Sequence, residues 1–143
     1  MDNEEYGVIA EAYENGFRVV YSFDNYLPAK EIVQKFPTLL VIKFAYDGSE
    51  NDGMPSTAGS AIIYAFEALL DELVDDGKSF SAYTKTGGNF REFVHYTTDE
   101  ESYMNSFNQA AKDHKRYPIE IVFYRDPEWT DYTKLMEDFA EDS

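Results

Sequence analysis

Apolar and polar residues alternate over residues 6–13, and more regularly at Phe17, Val19, Tyr21 and Phe23. That spacing lays one face of a strand against a core. Asn15-Gly16 lies between the two runs and accepts positive φ at both positions, so a tight β-hairpin is predicted. Residues 28–36 predict a short helix with Pro28 in its first turn and Pro37 as its stop. Thr38 to Tyr46 is the most apolar run and reads as a central strand. After a polar loop from Asp47 to Pro55, Ser56 or Thr57 caps a helix whose apolar stripe is Ile62, Phe66, Leu69, Leu70 and Leu73. Gly77 supplies its C-terminal stop.

Ser79 to Thr86 and Phe90 to Thr97 predict a second hairpin around Gly87-Gly88-Asn89. Thr98 with Glu101 three residues on matches a capping box. The helix it opens runs to about Lys115 and ends in the basic cluster Lys112, Lys115 and Arg116. Pro118 to Arg125 alternates as a strand, and Asp126-Pro127 caps and starts a last helix bearing Trp129, Tyr132, Met136 and Phe139 on one side. The order of elements over about residues 38–125 is that of a ferredoxin-like βαββαβ core. The expected fold class is therefore α+β: that core, an added N-terminal β-hairpin and a C-terminal helix, in one domain over residues 1–143. The acidic tail from about residue 139 has the composition of a disordered end.

Charge adds a second layer. The 143 residues carry 28 acids against 12 bases, a formal net charge of −16. The excess is concentrated towards the two ends. A field of this sign repels phosphates and anionic membranes and steers basic partners inward. A basic protein partner is thus favoured, and nucleic acid and membrane are not. The chain has no cysteine, which removes disulfides and thiolate chemistry. Its acidic start is unlike a signal peptide, and no apolar run reaches membrane-spanning length, so a cytoplasmic location is expected.

Candidate chemistry is sparse. An EF-hand loop starting at Asp47 needs Gly and Glu where Asp52 and Ala58 stand. His95 and His114 have no metal-ligand spacing, and Gly87-Gly88 lacks the ending of a phosphate loop. No catalytic set, cofactor or metal is expected. The most suggestive surface is the second hairpin. Alternation puts Arg91, Phe93 and His95 on one face, with Tyr83 and Lys85 beside them on the neighbouring strand. This aromatic and basic face is expected to lie on the side of the sheet left open by the helices. Trp129 is a further binding candidate, although burial against the sheet accounts for it.

Several segments together resemble a bacterial domain of unknown function, family 695. They are Gly53-Met54-Pro55, the Gly87-to-Tyr96 stretch with Arg91-Glu92-Phe93, and Tyr117-Pro118-Ile119-Glu120 followed by Asp126-Pro127-Glu128-Trp129 and Tyr132. The resemblance covers roughly residues 38–136, with a weaker match over the N-terminal hairpin. In some bacterial proteins a domain of this family is joined to one similar to the regulator of ribonuclease activity B, an acidic ribonuclease inhibitor. The resemblance implies no catalytic residues and tilts towards regulation by protein binding. The expectation is an acidic protein-binding or regulatory module, extending to an inhibitor of a basic protein such as a nuclease. The alternative is a small-molecule-binding domain or unrecognised enzyme using the open sheet face. Exposed sheet edges leave a homodimer open.

Overall fold

A computed structural model describes residues 7–140. The chain forms β1 (Gly7–Glu14), β2 (Phe17–Asp24), α1 (Lys30–Lys35), β3 (Thr38–Ala45) and α2 (Thr57–Asp75). These are followed by β4 (Ser79–Gly87), β5 (Phe90–Thr97), α3 (Glu100–Ala111), β6 (Ile119–Arg125) and α4 (Thr130–Ala140). The fold is α+β, with one six-stranded sheet in the order β1-β2-β4-β5-β3-β6. Every neighbouring pair is antiparallel. The first hairpin therefore joins the sheet through β2 at the β4 side, and β6 closes the other edge.

Both hairpins turn on residues with positive φ: Asn15 (54°) and Gly16 (84°), then Gly88 (60°) and Asn89 (75°). Such two-residue turns match the right-handed twist of the strands they join. Ser56 accepts the Gly59 amide to cap α2. Gly77, at φ 74°, ends it: the Gly77 and Lys78 amides bond back to Val74 and Leu73 in a Schellman closure.

The sheet has helices on both sides. Leu40, Ile42 and Phe44 of β3, with Phe93 of β5, pack under α2 and α3. Leu39, Val94 and Tyr96 face the other way, under α1 and α4, with Trp129, Tyr132 and Leu135. The two predicted ends of the protein are thus used differently. The hairpin extends the sheet, and α4 lies across the face opposite α2.

Several local expectations are corrected. Pro28 precedes α1, whose N-cap is Ala29. The stripe of α2 runs through Ile63, Phe66, Leu69, Leu70 and Leu73, and Ile62 is 47% exposed. The cap of α3 is Asp99, which accepts the Ser102 amide at 2.8 Å, and not Thr98. This helix ends at Ala111 with no base in its last turn, so the basic cluster follows it. Residues 126–129 form a turn closed by the Trp129 amide and the Asp126 carbonyl, so Pro127 is a turn residue and α4 opens at Thr130. The acidic tail expected from about residue 139 lies, beyond Ala140, outside the described residues.

Candidate functional site

The sheet register sorts the chemistry into rows. On the α4 side, one row across β4-β5-β3-β6 is Lys85, Glu92, Lys43 and Glu120. The next is Tyr83, Val94, Val41 and Val122, and the third is Phe80, Tyr96, Leu39 and Tyr124. Helix α4 covers the β4 and β5 ends of the last two rows and buries Leu39, but leaves Val41 of β3 and the β6 ends open. The result is a groove of about 650 Å³. Its floor is Val41 and Val122, Tyr124 stands beside it, and Asp131 of α4 forms its wall. Tyr124 is 54% exposed.

The wall is firmly built. The Asp126 carboxylate accepts the amides of Thr130 and Asp131, each at 3.0 Å, and the Tyr96 hydroxyl at 2.8 Å. The Tyr83 hydroxyl donates to Asp131 at 2.8 Å. Burial, followed by the Asp131 charge, raises the Tyr83 phenol above its ordinary value. Burial and the Asp126 carboxylate do the same to Tyr96. Both phenols therefore hold their protons as donors to the wall carboxylates. Along the open end of the groove Lys43 lies over the Phe90 ring at 4.8 Å, between Glu92 and Glu120 on its two neighbours. Four carboxylates and two cations, Lys43 and Arg125, line the groove in total.

The expected binding residues are only partly brought together. Phe93 and His95 are 1% and 2% exposed, beneath α2 and α3, so they line no open face. Burial lowers the His95 imidazole to about 4, and its nearest polar partner is the Ser79 hydroxyl at 3.5 Å. Tyr83 and Lys85 lie on the opposite side of the sheet from His95. The cause is a β-bulge between Ser81 and Tyr83: Ser81 pairs with His95, but Tyr83 pairs with Val94. One extra residue flips the rest of β4 to the other face. Lys85 is engaged by Glu14 at 2.6 Å. That contact comes first among the causes holding the Glu14 carboxyl below its ordinary value; the Tyr21 hydroxyl is second.

Trp129 is fully buried, stacked on Tyr96 with centroids 4.2 Å apart, and its indole N–H donates to the Phe36 carbonyl at 2.8 Å. Its φ of 56° is unusual for a bulky residue, and these two contacts hold it there. It is an anchor for α4, not a contact surface.

Of the expected set, Tyr83 lines the α4 groove, and Arg91 faces a cleft on the α2 side of the sheet, where the helices stop short of the first hairpin. Glu67 of α2 and the hydroxyls of Ser22, Ser81 and Thr84 share that cleft. The residues of the α4 groove were missed in the sequence reading, apart from Tyr83. Their signal was the alternation of β3 and β6, which both carry apolar residues on each face.

No group of three or more His, Asp or Glu among the described residues is placed to hold a metal ion. No helix among them is long and apolar enough to cross a membrane. The sequence model of one family, described as "Family of unknown function (DUF695)", matches residues 11–136. No curated protein and no solved structure matched the chain.

Proposed function

From a chain that belongs to the DUF695 family of unknown function, we propose a protein-binding module whose α4-side groove takes an extended segment of a basic partner. The observation that carries this reading is the conjunction of an open apolar floor with an unpaired strand edge. Val41, Val122 and Tyr124 are left uncovered beside β6, which ends the sheet. An edge strand offers a row of backbone donors and acceptors, and alternate side chains of an added strand enter the groove next to it. Glu92 and Glu120 supply acceptors for Lys or Arg on that segment. The net charge of −16 accelerates the encounter and makes its rate fall with salt.

The regulatory role, including inhibition of a basic protein such as a nuclease, follows the same logic. So does a cytoplasmic working place, which suits a cysteine-free chain. We also read the inner block as ferredoxin-like. The order β4-β5-β3-β6, with α2 and α3 on one side, supports a split βαβ arrangement to which the hairpin is added.

The test is titration of the isotopically labelled protein with extended peptides alternating Lys and Val. Amide shifts confined to β6 and the α4 N-terminus are expected, and Val122→Asp removes them while leaving the spectrum of the rest intact. Shifts spread evenly over the acidic surface, or unaffected by Val122→Asp, would overturn the groove. A concentration-dependent dimer in sedimentation would instead assign the β6 edge to a second copy.

A further inference from the structure

Arg91 sits at an edge of core and cleft with its donors poorly used. Its Nη1–H donates to the Thr86 hydroxyl at 3.3 Å, and its Nη2 lies 3.6 Å from the Glu67 carboxylate. Its Nε is buried and has no hydrogen-bond partner. A guanidinium presents five N–H donors in a fixed fork, and the Nε–Nη edge matches the two oxygens of a carboxylate. Both existing contacts are long, and meeting a ligand with the buried Nε requires the head to turn by a rotamer step into the space beside it. The Phe93 ring under the guanidinium, 5.4 Å from it, supports the plane without using a donor.

That space is a cleft of about 500 Å³ lined by Ile9, Ser22, Ser81, Thr84, Glu67 and Arg91. Its polar groups are unlike those of the α4 groove. The hydroxyls of Ser22, Ser81 and Thr84 both donate and accept, and two carboxylates, Glu67 and Asp24, only accept. The bulge that turned Tyr83 away leaves Ser81 on this side, and Ser22 pairs with Thr84 across β2 and β4. The hydroxyls therefore line up between the hairpin and α2.

We propose that this cleft binds a small organic carboxylate carrying hydroxyl or ammonium donors. The carboxylate takes the Nε–Nη edge of Arg91, and the remaining donors meet Glu67 and the serine and threonine hydroxyls. Glu67 and Asp24 decide against a dianionic phosphate, whose two charges would lie beside two carboxylates in a protein of net charge −16, whereas a ligand with one carboxylate and several donors can satisfy them. The cleft is on the opposite side of the sheet from the α4 groove, so the two readings stand or fall separately.

The probes are acetate, gluconate and inorganic phosphate, added to the full chain at ionic strength matched with sodium chloride. The signal is the Arg91 Nε–H resonance. Acetate and gluconate are expected to move it saturably, gluconate at lower concentration and phosphate at higher. Arg91→Lys, which keeps the charge but loses the fork, weakens gluconate about tenfold. Thr84→Val weakens gluconate and leaves acetate unchanged, which separates ligand recognition from damage to the fold. The proposal is overturned if neither carboxylate moves the resonance, if Arg91→Lys binds gluconate like the parent, or if phosphate binds more tightly than both.

Discussion

Replacing His95 with glutamine removes an imidazole that is fully enclosed, and the consequence is a change in how stability depends on pH. The ordinary imidazole value is 6.5, and burial lowers it to about 4 in the folded protein. Between those values the unfolded chain binds a proton that the folded one does not. Stability therefore rises with pH across this window and falls as acid is added. At pH 5 the unfolded imidazole is almost wholly protonated and the folded one is almost wholly neutral. At about 1.4 kcal/mol per tenfold in proton activity, going from pH 7 to pH 5 costs the native protein about 2 kcal/mol through this residue alone. Urea unfolding at several pH values in that range measures it, and His95→Gln is the control. The carboxylates of this acidic chain titrate alike in both proteins, so the difference between the two curves isolates the histidine. The native protein is expected to lose about 2 kcal/mol more than the variant. Parallel curves, or an imidazole proton resonance that titrates near 6.5, would refute the claim that His95 is held neutral by burial.

Asp126→Ala removes the acceptor of two α4 amides and of the Tyr96 hydroxyl. It is expected to lower stability by about 2–3 kcal/mol, with Asp126→Asn recovering part, as urea midpoints will show. Trp129→Phe keeps an aromatic ring on Tyr96 but leaves the buried Phe36 carbonyl without its indole donor. A loss of about 1–3 kcal/mol is expected, and the native emission of this single Trp should be that of a ring shielded from water. Gly87→Ala places a Cβ against the Arg18 carbonyl and Val19 at φ 148°. Gly16→Ala at φ 84° meets nothing within 4 Å. Thermal melts should therefore show Gly87→Ala as the more damaging change, by about 1 kcal/mol or more. Equal melting points would contradict the close approach of β2 to the β4–β5 turn.

Much of the fold was legible because local chemistry and tertiary packing agree. Asn15-Gly16 and Gly88-Asn89 can close two-residue turns, and the strands they join pair as the turns require. The differences arise where neighbouring residues offer the same signal. Ile62 and Ile63 are about 100° apart on the helix, and only the sheet decides between them. The spacing Ile63-Phe66-Leu70-Leu73 gives the straighter stripe, so Ile62 turns outward. Thr98 and Asp99 are both competent caps. The extended backbone at Asp99 (φ −159°, ψ 163°) brings its carboxylate to the Ser102 amide, and the helix starts one residue later than the capping-box pattern implies.

The candidate site was harder to read because it depends on a bulge with no strong sequence mark. Strict alternation carries Ser79, Ser81, Tyr83 and Lys85 along one face. The inserted residue at Ala82 breaks that set after Ser81. Tyr83 then reaches Asp131 and fixes the wall of the α4 groove, and Lys85 reaches Glu14. Ser81 stays behind with Arg91. A single extra residue therefore divides one expected mixed patch into two sites of different chemistry. On one side is an apolar floor rimmed by carboxylates, and on the other an arginine among hydroxyls. The second helix pair was equally hidden. A face carrying Phe93 and His95 reads as open only if the sheet is covered once. Buried apolar residues on both faces of β3, Leu40 and Ile42 on one and Leu39 on the other, were the available sign that it is covered twice. The two clefts lie at the margins where α2 and α4 leave the sheet uncovered, and the proposed partner segment and the proposed carboxylate are assigned to them on that ground.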